Sequence, residues 1–456
     1  MSIREMKLKR GAGFLGVCLI MAWMIAGCAN YSIPGSGSGA VTANSCEGCH
    51  TNYEMLIEVH DPDTTPPPAG CGGTAPEYEP YDRVYLGGDG YESFKASGHY
   101  GIGCTNCHGG VGDTGDKYTA HSGDWISAPS MFYEDNCGQC HDEITGTFAS
   151  SLHNGTGQKR KVTMRAGLDG PEDFDQLPQH QIDGYNVKCA QCHGTCGNCH
   201  IIRPIAGGGG LKAGHDFIKT PDMINGCVVC HSSRGGHAYL GVAPGTVADV
   251  HLTKAGKECL DCHDGHELHG DGKPVEQRYA YTELPTCERC HEGLEKENFY
   301  HTMHYDDFQC QVCHSQDYNN CGACHIEEGH AEYGPYMDYK IALNTLPDLK
   351  DGDFALVRRT LAHPDNWVGY GEELAYSDFD VHPTYNYTTP HNILKWTERT
   401  EGGTSCSSNC HIRNEGGVLV NVENYLWLDS LETFEVEATR AYTVDGKLPG
   451  SWFVEK

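Results

Sequence analysis

The stretch Cys189–His200 reads CAQCHGTCGNCH, two Cys-x-x-Cys-His motifs with only Gly194 and Thr195 between them. Each is a signature of covalent c-type haem attachment, in which two thiols add to the porphyrin vinyl groups and the adjacent histidine becomes an axial iron ligand. Two macrocycles must sit side by side here. A chain that repeats the motif is a row of porphyrins wrapped in polypeptide.

It does repeat. Thioether cysteines and proximal histidines fall at Cys46, Cys49 and His50; Cys104, Cys107 and His108; Cys137, Cys140 and His141; Cys189, Cys192 and His193; and Cys196, Cys199 and His200. They continue at Cys227, Cys230 and His231; Cys259, Cys262 and His263; Cys287, Cys290 and His291; Cys310, Cys313 and His314; and Cys321, Cys324 and His325. An eleventh site, Cys406, Cys410 and His411 in CSSNCH, has one extra residue between its cysteines; it reads as haem, with a metal site or disulfide as the alternative. These motifs use 22 of the 25 cysteines and leave Cys18, Cys28 and Cys71. Zinc sites also use Cys-x-x-Cys but have no need of a histidine directly after each second cysteine.

The N-terminus reads as an export signal. Arg4, Lys7, Lys9 and Arg10 precede an apolar stretch, Phe14–Ile25, shorter than the roughly 20 residues of a membrane span. It ends in Ile25-Ala26-Gly27-Cys28, similar to a bacterial lipobox, which makes Cys28 the expected lipidation site; an ordinary signal cut nearby is the alternative. The expected location is the outer membrane, anchored by lipid only and facing the periplasm or cell surface. Ala29 after the cysteine, rather than Asp, favours the outer membrane.

Net charge is −30, and −33 once the leader's four basic residues and Glu5 are removed. That argues against nucleic acid and anionic lipid as partners; it suits steering of cationic or metal-bearing partners, or simply solubility. With eleven haems in 456 residues, flat macrocycles replace much of the side-chain core. The expected fold class is mostly irregular with short α-helices, a haem-packed multihaem cytochrome with little β-structure, and without haem the chain is not expected to fold.

The expected organisation is a signal peptide at 1–27, a flexible tether at 28–45 (SIPGSGSG), a three-haem region at 46–188, a dense seven-haem region at 189–325, a haem-free subdomain or lid at 326–405 and the last motif with a C-terminal helix at 406–456. Cys71 is a buried or free thiol, or an intermolecular disulfide. The basic cluster Lys159-Arg160-Lys161 with Arg165 is a solvated loop, or a site for propionates or an acidic partner. Phe354–Val357 has strand character, whereas Val422, Tyr425, Leu428, Leu431 and Phe434 fall at helical spacing.

Eleven of the 27 histidines lie inside motifs, so sixteen remain as candidate distal ligands: His60, His99, His121, His153, His180, His215, His237, His251, His266, His269, His301, His304, His330, His363, His382 and His391. A second imidazole at every iron is therefore within the supply. For His193 and His200 the nearest outside histidines are His180 and His215. Bis-histidine iron exchanges electrons but has no open position for a substrate. If the motifs form one series, replacing His193 breaks it near the middle.

The whole chain resembles the extracytoplasmic multihaem c-type cytochromes. DVHLTKAGKECLDCHDGHELHG (Asp249–Gly270), with CERCH at Cys287, is similar to the group of octahaem tetrathionate reductases and hydroxylamine oxidoreductases, which implies that a histidine preceding a motif supplies distal ligation. From CQVCHSQDYNNCGACH at Cys310 through TYNYTTPHNILKWTERT (Thr384–Thr400) to CSSNCH, the order is similar to a family of exported multihaem cytochromes with no established substrate, which implies His363 and His391 as ligands. Reductases of this kind often replace the motif histidine by lysine at the catalytic haem. No Cys-x-x-Cys-Lys occurs here.

The expected function is electron transfer by eleven haems c in anaerobic respiration or extracellular electron transfer, with other redox proteins or an extracellular acceptor as partners. No catalytic residue is assigned. Two alternatives stay open: a multihaem reductase of a small nitrogen or sulfur oxyanion, and a homo-oligomer or subunit of a polymerising cytochrome filament.

Overall fold

In the computed structural model, the residues described are 42–63, 77–154, 159, 162–164, 166–188, 190, 192, 194–243, 245–273, 278–281, 284–318, 339–359, 381–400 and 407–455. The leader, Cys28, most of the tether, Cys71, Arg160, Lys161, Arg165, Cys189, His193, Cys321, Cys324, His325, His330, His363 and Cys406 lie outside them. Short helices dominate and strands account for 9% of the chain, as the composition predicts. No described helix is long and apolar enough to cross a membrane.

The motifs themselves make many of the helices. In Cys46–His50, Cys104–His108, Cys196–His200 and Cys310–His314, the five motif residues form one α-helical turn. Positions i, i+3 and i+4 share a helix face, so both thiols and the histidine project to the same side. Side-chain caps start these turns where the chain is too short for propensity to do so: Ser45 Oγ accepts from the Gly48 N–H at 3.0 Å, and Thr195 with Asn198 forms a capping box. Gly109 ends the Cys104–His108 turn at φ +65°, and a Cβ there would run into the Asp124 carbonyl. Around Cys227 the chain alternates π-helical turns, Met223–Val228 and Ser232–Gly236, with the α-helical Val229–His231 between them.

Conventional core is confined mainly to the C-terminal part. Strands β1 (Tyr339–Leu343), β2 (Phe354–Arg359) and β3 (Tyr385–Tyr387) form an antiparallel sheet in the order β1-β2-β3, with Ile341 opposite Leu356. Strands β4 (Ile412–Glu415), β5 (Val418–Val420) and β6 (Phe453–Glu455) form a second sheet in the order β5-β4-β6. Ile341, Leu356, Ile412, Tyr425, Val444 and Trp452 pack into one buried cluster that also takes Val312 from the Cys310 motif. The boundaries expected at 325/326 and 405/406 therefore do not divide this core.

The strand expected at Phe354–Val357 is β2. The helix expected over Asn421–Val436 is replaced by two 3₁₀ turns, Val422–Asn424 and Leu428–Ser430. Between them Leu426 runs extended: its N–H donates to Ile341 O and its carbonyl accepts from Val444 N–H, both at 2.9 Å. Tertiary pairing has overridden the helical spacing of the apolar residues.

Candidate functional site

Nine motif histidines each face one histidine from outside the motifs. The pairs, with ring-centre separations, are His50–His121 at 6.1 Å, His99–His141 at 6.1 Å, His108–His215 at 6.1 Å, His153–His231 at 6.2 Å and His200–His269 at 6.1 Å. The others are His251–His291 at 6.1 Å, His263–His391 at 5.9 Å, His301–His314 at 6.0 Å and His304–His411 at 6.2 Å.

Ordinary aromatic contacts scatter over about 4.5–7 Å and favour particular tilts. Here the opposite holds: the separation stays within 5.9–6.2 Å while the interplanar angle ranges from 22° to 79°. Fixed distance with free rotation is the property of two imidazoles on opposite sides of one metal. With metal–nitrogen bonds of about 2.0–2.1 Å, and about 1.1 Å from each nitrogen to its ring centre, that arrangement spans about 6.3 Å.

The remaining ring nitrogens agree with this geometry. Nδ1–H of His50 donates to Val84 O at 3.0 Å, His108 to Ile126 O at 2.9 Å, His121 to Lys117 O at 2.8 Å and His200 to Ile218 O at 2.7 Å. His301 donates to Leu294 O at 2.9 Å, and His391 to Thr389 O at 2.8 Å. Such bonds fix the tautomer and leave Nε2 as the lone-pair nitrogen, as in metal-ligating histidines generally. Surrounding protein pushes His215 and His391 down to about 4 and lowers His50, His153 and His314, which keeps each imidazole in its neutral, ligating form. His263 moves the other way, raised by its hydrogen bond to Glu267. His215 also sits at φ +72°, a left-handed conformation uncommon for a bulky residue and one that clusters at functional sites.

A connected cavity of about 3250 Å³, lined by motif residues from Cys137 to His411, runs between seven of the pairs; the His50–His121 and His108–His215 pairs do not line it. Ordinary ligand pockets hold about 300–1,000 Å³. Among the described residues no group of three or more His, Cys, Asp or Glu side chains is arranged to hold a metal by itself. A histidine pair with motif cysteines next to one of its members in sequence is a residue set that would hold a haem c, which would supply one-electron chemistry there.

The thiols order the motifs in space. Cys46 contacts Cys104, Cys137 contacts Cys196, Cys227 contacts Cys259, and Cys287 contacts Cys310, in each case joining the first cysteines of two motifs. Between these couples Cys107 lies in electrostatic reach of Cys137, Cys199 of Cys227 and Cys230, and Cys262 of Cys290. Tyr425 feels both Cys313 and Cys410. The line thus runs from Cys46 to Cys410 with alternating close and looser steps. Cys192, from the motif that begins the densest stretch, attaches at Cys230, beside the line, while Cys199 reaches Cys227 and Cys230 without it.

No known family model, curated protein or solved structure matches this chain. Its site therefore rests on its own geometry.

That geometry revises the local expectations. His215, with His180 one of the outside histidines nearest His200 in sequence, faces His108 instead. His99 and His251 precede the motifs at Cys104 and Cys259 but face His141 and His291; among the described residues only His301 faces the motif directly after it. His391 faces His263, and His363 lies outside the described residues. His60, His180, His237, His266 and His382 face no motif histidine among the described residues. His60 donates to Ile57 O at 2.7 Å and packs on Tyr81, His266 bonds Tyr281 Oη at 2.7 Å, and His180 holds its Nε2 buried without a hydrogen-bond partner.

Residue types alone did not single out the groups that hold the ligands in place. Asp249, 1% exposed, accepts the Nδ1–H of His251 at 2.9 Å, and Glu267 accepts that of His263 at 2.8 Å. Arg399 clamps the end of the Cys310–His314 helix through Val312 O at 2.8 Å, Ser315 O at 2.6 Å and Asp317 at 2.7 Å. Asp249 directly before an apolar helix start was a readable N-cap signal; the others lay within quoted stretches without a motif of their own.

Proposed function

We propose that this chain is an exported, lipid-anchored electron conductor that carries a haem c at each Cys-x-x-Cys-His motif and at CSSNCH. The observation that carries the reading is the set of nine motif histidines each paired with an outside histidine at a constant 5.9–6.2 Å. Bound haem would supply one-electron exchange between iron(III) and iron(II).

The protein's own residues do the rest. Motif cysteines would anchor the haem and paired histidines would ligate its iron, while backbone carbonyls such as Val84 O and Ile126 O hold the imidazoles in one tautomer. At all nine described pairs two histidines are available to one iron, which favours conduction over reduction of a small oxyanion. Thiol proximities join the motifs at Cys46, Cys104, Cys137 and Cys196 in turn, and Tyr425 lies near both Cys313 and Cys410, which supports transfer along a line rather than chemistry at one centre. An acidic surface, −30 overall, suits cationic or metal-bearing redox partners.

Intact-mass measurement of the full chain from a host with a cytochrome c maturation system tests this reading. Eleven covalent haems are expected, with a diacylated N-terminus at Cys28. A chain with metal but no covalent porphyrin would overturn it.

A further inference from the structure

Two of the nine histidine pairs have a carboxylate hydrogen-bonded to a ring within 3.0 Å, whereas His50, His108, His121, His200, His301 and His391 donate to backbone carbonyls. Glu267 places both carboxylate oxygens on His263 Nδ1, at 2.8 and 3.0 Å, from the next turn of chain. Asp249 is shared more widely. Its Oδ1 accepts both the backbone N–H of His251 at 2.7 Å and that residue's Nδ1–H at 2.9 Å, while Oδ2 accepts Ile393 N–H at 2.5 Å, two residues beyond His391. The pairs concerned, His263–His391 and His251–His291, belong to neighbouring motifs, since Cys262 and Cys290 lie within electrostatic reach.

We propose that Asp249 and Glu267 are positioning residues that make the His251–His291 and His263–His391 sites harder to reduce than the sites at His50, His108, His200 and His314, where ring hydrogen bonds go to backbone carbonyls. This deepens the conductor reading and rests on it. A carboxylate that accepts an imidazole N–H draws the proton away from the ring and makes the other nitrogen a stronger donor. Stronger axial donation, together with a fixed negative charge close by, favours iron(III) over iron(II). Backbone carbonyls, the partners at His50, His108, His121, His200 and His301, carry only a partial charge. Opposing charges are near as well: Arg278 acts on His391, and Lys257 and Arg289 act on Cys262, whereas the two carboxylates bond the ring nitrogens themselves.

The consequence concerns the line as a whole. Two adjacent sites that resist reduction form a step between the motifs running from Cys46 to Cys227 and those at Cys310 and Cys410. At partial reduction, electrons then collect on either side of the step, so each end of the chain holds charge for its own partner.

The test is spectroelectrochemical titration of the full haem-loaded chain, parent against E267Q, D249N and, as a control, E297Q, whose exposed carboxylate stands 3.5 Å from His301 Nδ1. Both substitutions keep an acceptor oxygen and remove the charge. In the parent, the two carboxylate-bonded sites are expected to titrate at more negative potential than the carbonyl-bonded sites. Each of E267Q and D249N should move one of them upward by at least a tenfold change in its reduced-to-oxidised ratio at fixed potential, about 59 mV for one electron, while E297Q leaves the curve in place. D249N also loses the Ile393 bond, so E267Q decides the matter should D249N fail to fold. Retained haem count and low-spin spectra with a titration that superimposes on the parent would overturn the proposal. Peptides Cys259–His263 and Cys287–His291 without haem in the parent would instead overturn the conductor reading beneath it.

Discussion

His301 and His304 occupy one short helix, Phe299–His304, yet they serve different motifs: His301 faces His314 at 6.0 Å and His304 faces His411 at 6.2 Å. Asn298 starts this helix by accepting the N–H groups of Tyr300 and His301, so one cap positions both rings. His301→Ala should make only the His314 site five-coordinate, and His304→Ala only the His411 site. Electron paramagnetic resonance of the oxidised proteins would show one new high-spin signal in each variant, additive in the double variant. The same signal in both single variants would break the pairing.

Cys199 lies in electrostatic reach of Cys227 and Cys230, and Cys192, the thiol next to His193 in sequence, adjoins Cys230. His193→Ala should therefore leave transfer between the two ends of the chain within about twofold of the parent rate, contrary to a single series. His231→Ala, on the line, should slow it at least tenfold. Laser-flash reduction at one end with detection at the other measures both.

Motif positions were legible because attachment chemistry fixes residue types at fixed spacing within one helical turn. Pairing was not, because it is a long-range property: nothing local to His263 points to His391, and the turn Tyr100–Ile102 with the helix Cys104–His108 carries His99 away from its neighbouring motif toward His141. The C-terminal misreading has the same origin. Apolar residues at helical spacing from Val422 to Phe434 satisfy a helix locally, but Leu426 gains two backbone bonds and full burial by running extended between Ile341 and Val444. Asp249 was readable as a helix cap, whereas its second role depends on Ile393 arriving from far along the chain.

Arg399 ties the Cys310 motif to the C-terminal core. Its guanidinium bonds Val312 O, Ser315 O and Asp317 while its side chain is only 8% exposed. Arg399→Met keeps the stem but strands two carbonyls and a carboxylate, and should destabilise this part by roughly 3–5 kcal/mol. Urea unfolding followed by tryptophan fluorescence, with Trp452 in the same core, measures it; a loss below about 1 kcal/mol would contradict the role.

Side chains alone supply little core to the N-terminal motifs. Among the described residues from 42 to 154, only Leu56, Leu86, Tyr91 and Phe148 are buried large apolar side chains. A chain made without its leader in a cytoplasm lacking haem attachment should lack protected helices at the first three motifs. Hydrogen exchange read by mass spectrometry would show those peptides exchanging fully within seconds, against slow exchange in the haem-loaded form. Equal protection in both would contradict the account.

The central claim is that each histidine pair closes both axial positions of one haem iron. The most direct measurement is electron paramagnetic resonance of the oxidised full chain, integrated against its haem content. The account predicts low-spin iron at no fewer than the nine described sites. A high-spin fraction that leaves fewer than nine low-spin irons per chain would contradict it.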